Sequence, residues 1–508
     1  MSRFPYTWQR LWPSAATLLP LGLWAMLWLS ISPGRIEDIF HPGNPTALVN
    51  GLRSIFPFVA AYIAAMMIAY RIWQHHQRGF ELLSPLGLTA VYGMVGLVAA
   101  LRSPDGSVAV RWALLYLSVP VVLWAITWGT DAAERIGRLI NYTWLVMVLA
   151  ALALFAVAAV YLSLFDVLRD PAQLLECNSG SWYSLTNGRL RDTGVGRYAA
   201  IAAIIALSGL WRRSWRPVWF LVLFMSVVLL LYTGARGAFG GFAAGAVLTI
   251  WLYAGRRALV AGALALVVLV PVFWATGAHD TFLDKCVFRS NQSQTATGQP
   301  TVQVPPPIQI QPTVQVQPTV QIQPPIQAQP PIQAQSAAQV QPTSQAQPTI
   351  QAQPTAIPSG QESSRIGADF FKFTGRSGVW ADSLRLVRDS PILGYGFHAD
   401  RLLLGTHAHN AVVHSLLQTG VAGTLPFLGA ILFAWILLIR VTRKLNHLPA
   451  THKHLVIQSG AVLAFLTMRA FPESTGAFFG VDWLLLGPIL IYLQVVHSSF
   501  AKTEVTSQ

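Results

Sequence analysis

Long apolar runs recur along this chain, and they constrain its fold more than any other feature. A helix needs about 20 mostly apolar residues to cross the hydrocarbon core of a bilayer. Only 11% of the 508 residues are charged and 53% are hydrophobic, whereas a soluble domain carries roughly 25% charged residues. The chain has too few charges to cover a water-facing surface, so most of its surface must face lipid.

The apolar runs predict an all-α, polytopic membrane protein with about 12 transmembrane helices. Arg3 and Arg10 precede the first run, which lacks a clear cleavage site and is therefore expected to remain as a membrane helix. The twelve predicted spans cover residues 15–32, 54–70, 82–101, 110–129, 142–165, 197–211, 217–233, 237–254, 258–276, 419–440, 455–472 and 476–497.

The basic residues lie in short loops between the runs, and this placement predicts an orientation. The net charge is +14, but clusters between apolar runs are typical of membrane topology rather than of nucleic-acid binding. With the N-terminus in the cytoplasm, each cluster falls inside, and an even number of helices returns the C-terminus there. The clusters are Arg71 and Arg78; Arg135 and Arg138; Arg212, Arg213 and Arg216; Arg256 and Arg257; and Arg440, Arg443, Lys444 and Lys453.

This topology divides the chain into four segments and places two long loops outside the membrane. Residues 1–285 hold nine helices with a periplasmic loop at 166–196, and residues 286–366 are a Gln- and Pro-rich insert. Residues 367–418 form a periplasmic loop with catalytic potential, and residues 419–508 hold three further helices and a cytoplasmic tail. The turn at Gly234–Arg236 and Glu473 also fall on the outer side.

The insert consists of a hexapeptide repeat that begins at Gln311, and no charged residue lies between Arg289 and Glu362. Regular prolines remove backbone donors and favour an extended chain. The composition predicts a disordered spacer. A glycan-binding or length-gauging segment is the alternative.

The chain has two cysteines, Cys177 and Cys286, one in each long outer loop. An oxidising periplasm allows a disulfide between them. Two unpaired thiols are the alternative, and the spacing of the two residues is not that of a metal site.

Charged residues next to apolar runs are the candidate functional groups, because charge at membrane depth is costly. Arg236 lies in a Gly-rich turn between two runs, where the alternative role is an interfacial arginine. Arg189, Arg191 and Arg197 stand on the outer side ahead of the sixth helix, against the inside-positive pattern. Such arginines suit an anionic ligand, with solvated loop charge as the alternative.

A second group of candidates follows the repeat insert. Arg376 precedes Trp380, and His409-Asn410 precedes the tenth apolar run. His407 and His409 could bind a metal, but no convincing third ligand accompanies them, so no metal is expected. Arg469 and Glu473 flank Pro472 at the outer end of the eleventh run, where an internal ion pair is the alternative to a functional role.

Three short patterns resemble motifs of the O-antigen ligase superfamily. His409-Asn410, nine residues and then Gly420-Val-Ala-Gly-Thr resemble the histidine motif H-[NSQ]-x9-G-x-x-G-[GTY]. The stretch from Arg376 to Gly396 resembles the segment that precedes this motif, and Thr233-Gly-Ala-Arg-Gly-Ala resembles the family's arginine turn. The repeat insert departs from the family pattern, although it lies between the matched pieces.

The resemblance implies an all-helical, C-type glycosyltransferase that works without a nucleotide sugar, a bound metal or another cofactor. The donor would be a glycan on undecaprenyl pyrophosphate in the bacterial inner membrane, and the acceptor a hydroxyl of lipid A-core or another glycan. His409 would act as base, with Arg236 and Arg376 stabilising the pyrophosphate leaving group. Arg189, Arg191, Arg197, Asn410 and Glu473 are the candidate substrate-binding residues.

Three other functions remain open from the sequence. An O-antigen polymerase and a protein O-oligosaccharyltransferase would share this topology and differ in their acceptor. A transporter would have a similar helix count. Transporters usually carry charged residues within several helices and show internal repeats, and beyond Arg469 neither feature is evident.

Overall fold

The structure is a computed structural model of this chain and describes residues 15–31, 45–75, 81–127, 131–162, 190–212, 215–275 and 376–506, with 164, 182, 185 and 186. These residues are helical or lie in turns, and none of them forms a strand. The all-α prediction is thereby confirmed. The repeat insert at 286–366, Arg189 and both cysteines lie outside the described residues.

Thirteen α-helices occur in the described ranges. They are α1 (Ala15–Leu29), α2 (Pro45–His75), α3 (Pro85–Ala99), α4 (Gly106–Thr127), α5 (Ala132–Tyr161), α6 (Asp192–Gly209), α7 (Arg216–Thr233), α8 (Arg236–Ala275), α9 (Arg376–Asp389), α10 (Ala399–Leu404), α11 (Ala411–Arg443), α12 (Ala450–Arg469) and α13 (Val481–Thr506). Non-helical backbone at Gly255 interrupts α8, so the predicted span 237–254 and, as far as Ala275, the predicted span 258–276 lie on either side of one kink.

Eight of these helices are long and apolar enough to cross a membrane, judged by length and composition over the described residues. They are α2, α3, α4, α5, α7, α8, α11 and α13. The chain is therefore a polytopic membrane protein, whereas the count of twelve spans stays a prediction. Helix α1 is apolar but shorter, and α6 and α12 are not among the eight.

Helices α6 and α12 lie at the centre of the bundle, which explains why they are less apolar than their neighbours. Residues 199–206 of α6 are almost completely buried, and both helices pack against α8. A Cβ on Gly245 of α8 would lie 2.5 Å from a side-chain carbon of Ile204 and 2.8 Å from the carbonyl oxygen of Ala461. A helix shielded by other helices needs small residues for close packing more than it needs lipid-facing hydropathy.

One end of the bundle collects basic residues from several helix ends. Arg71 of α2 donates a 2.8 Å hydrogen bond to the carbonyl of Ala125 at the end of α4. The start of α5 packs on the start of α12, where a Cβ on Gly137 would lie 3.2 Å from the Leu455 side chain. This grouping is the pattern that the positive-inside tendency predicts. The basic residues at this end include Arg71, Arg135, Arg138, Arg443 and Lys453.

The opposite end brings together the beginning of α11 and the end of α12. The Ala411 amide donates a 2.9 Å hydrogen bond to the Ala470 carbonyl. Two predicted boundaries shift here. Helix α11 begins at Ala411 rather than at 419, and α6 begins at Asp192 rather than at 197. Arg197 therefore lies inside α6 and not ahead of it, which corrects its predicted place.

Candidate functional site

Three of the predicted site residues meet at this end of the bundle. Nδ1 of His409 lies 3.3 Å from Oε2 of Glu473, and Nη2 of Arg376 lies 3.4 Å from Oε1 of the same carboxylate. Arg376 also donates to the carbonyl of Pro472, the residue before Glu473. One carboxylate thus joins an imidazole and a guanidinium from distant parts of the sequence.

The Glu473 carboxylate fixes the tautomer of His409. Burial alone would raise the pKa of Glu473, but the hydrogen bond from His409 and the charges of Arg469 and Arg376 lower this pKa to about 2. An ionised carboxylate only accepts hydrogen bonds, so Nδ1 of His409 carries a proton, and in the neutral ring Nε2 then has the lone pair. The His409 side chain is 24% exposed, so a bound hydroxyl could approach the ring and transfer a proton to it.

The backbone around His409 is held in an uncommon conformation. Its φ is +50°, in the left-handed region that non-glycine residues rarely adopt. The Trp380 indole donates a 2.7 Å hydrogen bond to the carbonyl of Ala408. Strained backbone of this kind persists where the surroundings fix it, and it is frequent at functional sites.

Asn410 begins α11 and connects it to the loop that carries Glu473. Its side-chain oxygen accepts from the amides of Val412 at 2.9 Å and Val413 at 3.0 Å, as an N-cap does. Its side-chain nitrogen donates to the carbonyl of Phe471 at 3.0 Å. Asn410, predicted as a substrate contact, thus places His409 and Glu473 relative to each other.

A break in α11 brings the Gly394–Gly396 segment into contact with the motif that begins at Gly420. Gly420 has φ +56° and ψ −162° within the helix, so the neighbouring backbone groups leave the helical pattern. The amide of Ala422 donates to the carbonyl of Ile392 at 3.0 Å, and the amide of Gly396 donates to the carbonyl of Gln418 at 2.8 Å. A Cβ on Gly420 would lie 2.3 Å from the Ile392 carbonyl, so no other residue fits there without a shift.

A buried ionic network lies behind Glu473. Arg469 of α12 pairs with Asp482 of α13, and Nη1 of Arg197 lies 3.3 Å from the other oxygen of Asp482. The Glu473 amide donates to the Arg469 carbonyl at 3.0 Å, which places the network directly beside the first cluster. Arg469 therefore forms an internal ion pair, but its partner is Asp482.

The predicted arginine turn lies against the same loop. A Cβ on Gly237, next to Arg236, would lie 3.0 Å from Pro472, and Pro472 is the residue whose carbonyl binds Arg376. A Cβ on Gly196 of α6 would lie 2.9 Å from the Thr233 hydroxyl. The turn is therefore wedged between α6 and the 470–473 loop, with the Arg236 side chain exposed.

Arg191 is the remaining predicted arginine that the structure describes. Arg191 is exposed at the start of α6. Burial lowers the pKa of Arg401, and the positive charge of Arg191 lowers it further, so Arg191 lies near α10.

A second polar cluster lies beside the first one. Nδ1 of His407 donates to Oδ2 of Asp400 at 3.0 Å, and Nδ1 of His414 lies 3.1 Å from the same oxygen. The His407 and His409 ring centroids are 5.8 Å apart. Burial alone would raise the pKa of Asp400, but the nearby His414 and the hydrogen bond from His407 hold it well below its usual value.

His407 and His398, which lie at this end, have lowered pKa values. Burial is the largest cause that lowers the pKa of His407. Burial and then the charge of Arg401 lower the pKa of His398 to about 4. His398 also stacks on Trp112 at 5.0 Å between ring centroids.

The sequence interpretation missed Asp400, His414 and Asp482. Asp482 carried a usable signal, because it is a lone carboxylate in the first turn of an apolar helix. Asp400 and His414 had no such signal, since only the folded chain places them 3.1 Å apart.

A comparison with protein families matches residues 221–428 to a model described as O-Antigen ligase, Wzy_C. A search of curated proteins finds no match for this chain. The matched range contains Arg236, Arg376 and His409. Helix α12 and Glu473, which follows it, lie beyond the matched range. Residues 221–428 of this helical membrane protein are therefore similar to the O-antigen ligase family, as the motifs indicated.

Proposed function

We propose that this protein transfers a glycan from undecaprenyl pyrophosphate to a hydroxyl of lipid A-core at the periplasmic face of the bacterial inner membrane. The match of residues 221–428 to the O-antigen ligase family supports a glycan-transferring enzyme of the ligase and polymerase type. The observation that carries the proposal is the His409–Glu473–Arg376 cluster.

His409 is the proposed general base. The acceptor hydroxyl gives its proton to Nε2 while its oxygen bonds to the anomeric carbon of the donor sugar. The bond from that carbon to the pyrophosphate breaks, and in-line attack inverts the anomeric configuration. Glu473 holds Nδ1–H and stabilises the imidazolium that forms, as a carboxylate does for a histidine base.

Arginines are proposed to stabilise the leaving pyrophosphate in place of a metal. Guanidinium groups suit phosphate because they donate bidentate, charged hydrogen bonds. Around Glu473 and Asp482, three arginines face two carboxylates, so the cluster keeps a net positive charge. Arg376 and the neighbouring Arg236 are the proposed contacts to the leaving group. Arg197, engaged with Asp482, supports them from behind.

Donor contacts are proposed for the arginines that precede α6. Arg191 is exposed at the start of that helix, and Arg189 stands two residues earlier in the sequence. Their charge would attract the anionic carrier towards the arginines around Glu473. For Asn410 we propose a role through the cap of α11, and its contact with substrate stays a prediction.

The proposed orientation is tested by single cysteines at the two ends of α11, in a chain without Cys177 and Cys286. Thr406→Cys lies beside the cluster and Asn446→Cys lies beyond the other end, and both positions are exposed. A membrane-impermeant maleimide added to intact spheroplasts should label position 406 and not 446. Labelling of 446 alone would place the site in the cytoplasm and contradict the proposal.

Reconstitution tests the reaction itself. Proteoliposomes that contain the purified protein receive a lipid-linked glycan and a lipid A-core acceptor. The proposal predicts glycan attached to lipid A-core and release of undecaprenyl pyrophosphate. Glycan chains that lengthen on the lipid carrier, with lipid A-core unmodified, would instead identify a polymerase.

A further inference from the structure

We propose that Asp400, His407 and His414 form a binding site for a divalent transition-metal ion of the Zn²⁺ type. One atom from each side chain is available, and these atoms all lie within 4.8 Å of one another. Two imidazoles and a carboxylate are a donor set that Zn²⁺ commonly uses, with a fourth position for water. His409 is not part of this set, so the site is separate from the proposed transfer chemistry.

Two buried polar atoms in this cluster lack hydrogen-bond partners among the described residues. They are Oδ1 of Asp400 and Nδ1 of His414, and these residues are 1% and 2% exposed. Buried polar groups are almost always paired, because an unpaired one loses its hydration without compensation. Nδ1 of His414 lies 3.1 Å from the other oxygen of Asp400, Oδ2, so a hydrogen bond forms there only when this nitrogen carries a proton.

The surroundings of His414 place a lone pair on Nδ1. Gln418 satisfies its neighbours when its nitrogen donates to the Tyr92 hydroxyl at 2.9 Å and the Ala477 carbonyl at 3.1 Å. Its oxygen then accepts from Nε2 of His414 at 2.6 Å and from the His398 amide at 3.1 Å. In the neutral ring, a proton on Nε2 leaves Nδ1 as an acceptor.

This lone pair faces a carboxylate oxygen, and two acceptors in contact repel each other. A cation between them removes the repulsion. Bonds of about 2.0–2.1 Å in tetrahedral geometry place ligand atoms roughly 3.3 Å apart. Oδ2 of Asp400 already lies 3.0 Å from Nδ1 of His407 and 3.1 Å from Nδ1 of His414. The ligand atoms of the two histidines lie within 4.8 Å of each other, so side-chain rotations that bring this pair closer would admit the ion.

Arg401 competes with the ion at this site. Its guanidinium contacts Nε2 of His407, which keeps the lone pair on that nitrogen and the proton on Nδ1. Metal binding through Nδ1 requires Arg401 to withdraw, and its exposed position allows this. Removal of Arg401 should therefore strengthen metal binding, which an incidental surface site would not show.

The ion would join α10, the loop of His407 and the first turn of α11. These are the segments on either side of the strained backbone at His409. Its role is then to hold this loop, and the test does not require transfer activity. A failure of the proposed transfer reaction would leave the metal site unaffected.

The test is a titration of the full chain, purified in detergent without a histidine tag and stripped with a chelator. Co²⁺ should add the visible bands of a tetrahedral site, Zn²⁺ should displace it, and one equivalent should bind. Asp400→Asn and His414→Gln should weaken binding by at least about 100-fold, given that losing even an outer partner costs 10–100-fold. Arg401→Gln should bind more tightly than the unmodified protein.

His447→Ala is the matched control, because His447 is exposed at the opposite end of α11, and it should bind as the unmodified protein does. Zn²⁺ should also raise the melting temperature of the unmodified protein and not that of Asp400→Asn. Since His407 is partly exposed, His407→Gln serves if the buried variants fail to fold, and it should also weaken binding. Equal binding by Asp400→Asn or by His407→Gln, or no binding by the unmodified protein, would overturn the site.

Discussion

His409 and Glu473 share a contact in which Nδ1 of the imidazole lies 3.3 Å from Oε2 of the carboxylate. The other oxygen of Glu473 faces Arg376 at 3.4 Å. The base and a cation of the proposed reaction are therefore held by one side chain. A change at Glu473 should affect both of them.

Replacement of Glu473 by glutamine should reduce transfer strongly while the protein still inserts. A glutamine oxygen can accept from Nδ1–H, but it does not stabilise the imidazolium, so kcat should fall by about 10²-fold or more. Reconstituted initial rates measure this effect. Asp382→Asn is the matched control, because Asp382 also pairs with an arginine but is exposed, and it should keep normal activity.

The charge on Glu473 should make stability depend on pH in the acidic range. Its folded pKa is about 2, below the ordinary value near 4.3. The stabilisation is therefore complete above about pH 4.3 and is lost as pH falls towards 2. It amounts to about 3 kcal/mol at neutral pH, because each pKa unit corresponds to ~1.36 kcal/mol.

The measurement compares melting temperatures of the unmodified protein and Glu473→Gln between pH 7 and pH 3. His409, Arg376 and Arg469 are the groups that face the carboxylate. The difference between the two proteins should shrink below about pH 4.3. A constant difference in melting temperature across this pH range would mean that the ionised form of Glu473 does not contribute to stability.

Gly420→Ala should destabilise the protein because of its backbone conformation and its close neighbour. The φ of +56° with ψ −162° is open almost only to glycine, and a Cβ would meet the Ile392 carbonyl at 2.3 Å. We expect a loss of at least about 2 kcal/mol in the free energy of unfolding. Denaturation in detergent measures it.

Gly429→Ala in the same helix is the control for that substitution. Its Cβ would meet only a Leu88 side-chain carbon at 3.5 Å, an ordinary contact, and alanine favours helix over glycine by about 1 kcal/mol. This variant should be as stable as the unmodified protein or more stable. Equal effects at positions 420 and 429 would show that the break in α11 has no special requirement.

Asn410→Ala should destabilise the start of α11. The loss of an N-cap costs about 1 kcal/mol, and the hydrogen bond to Phe471 is lost with it. Asn410→Asp keeps the acceptor for Val412 and Val413 but not the donor to Phe471, so its stability should be intermediate. A substrate-contact role would instead raise KM in both variants with no change in melting temperature.

The general architecture follows from the sequence because it depends on local composition. Apolar runs close to the length that crosses a bilayer predict helices wherever they occur, and the structure has helices at these runs. The central helices were the hardest to delimit. Helix α6 begins at Asp192, before its apolar run, because buried packing against α8 tolerates small and polar residues that lower its hydropathy.

The site was only partly predictable, for a different reason. His409, Arg376 and Glu473 stand out locally, by motif or by charge beside an apolar run. Their common carboxylate contact depends on the return of α12 to the start of α11, which the local sequence does not encode. Asp400 and His414 are recognisable as one cluster only because the fold brings their side chains to 3.1 Å from each other.

The initial rate of transfer by His409→Ala tests the central claim most directly. It is measured in proteoliposomes with lipid-linked glycan and lipid A-core, beside His447→Ala as a control for histidine loss. The account predicts a fall of about 10²–10⁴-fold for His409→Ala and a normal rate for His447→Ala. A rate for His409→Ala within a few-fold of the unmodified protein would contradict it.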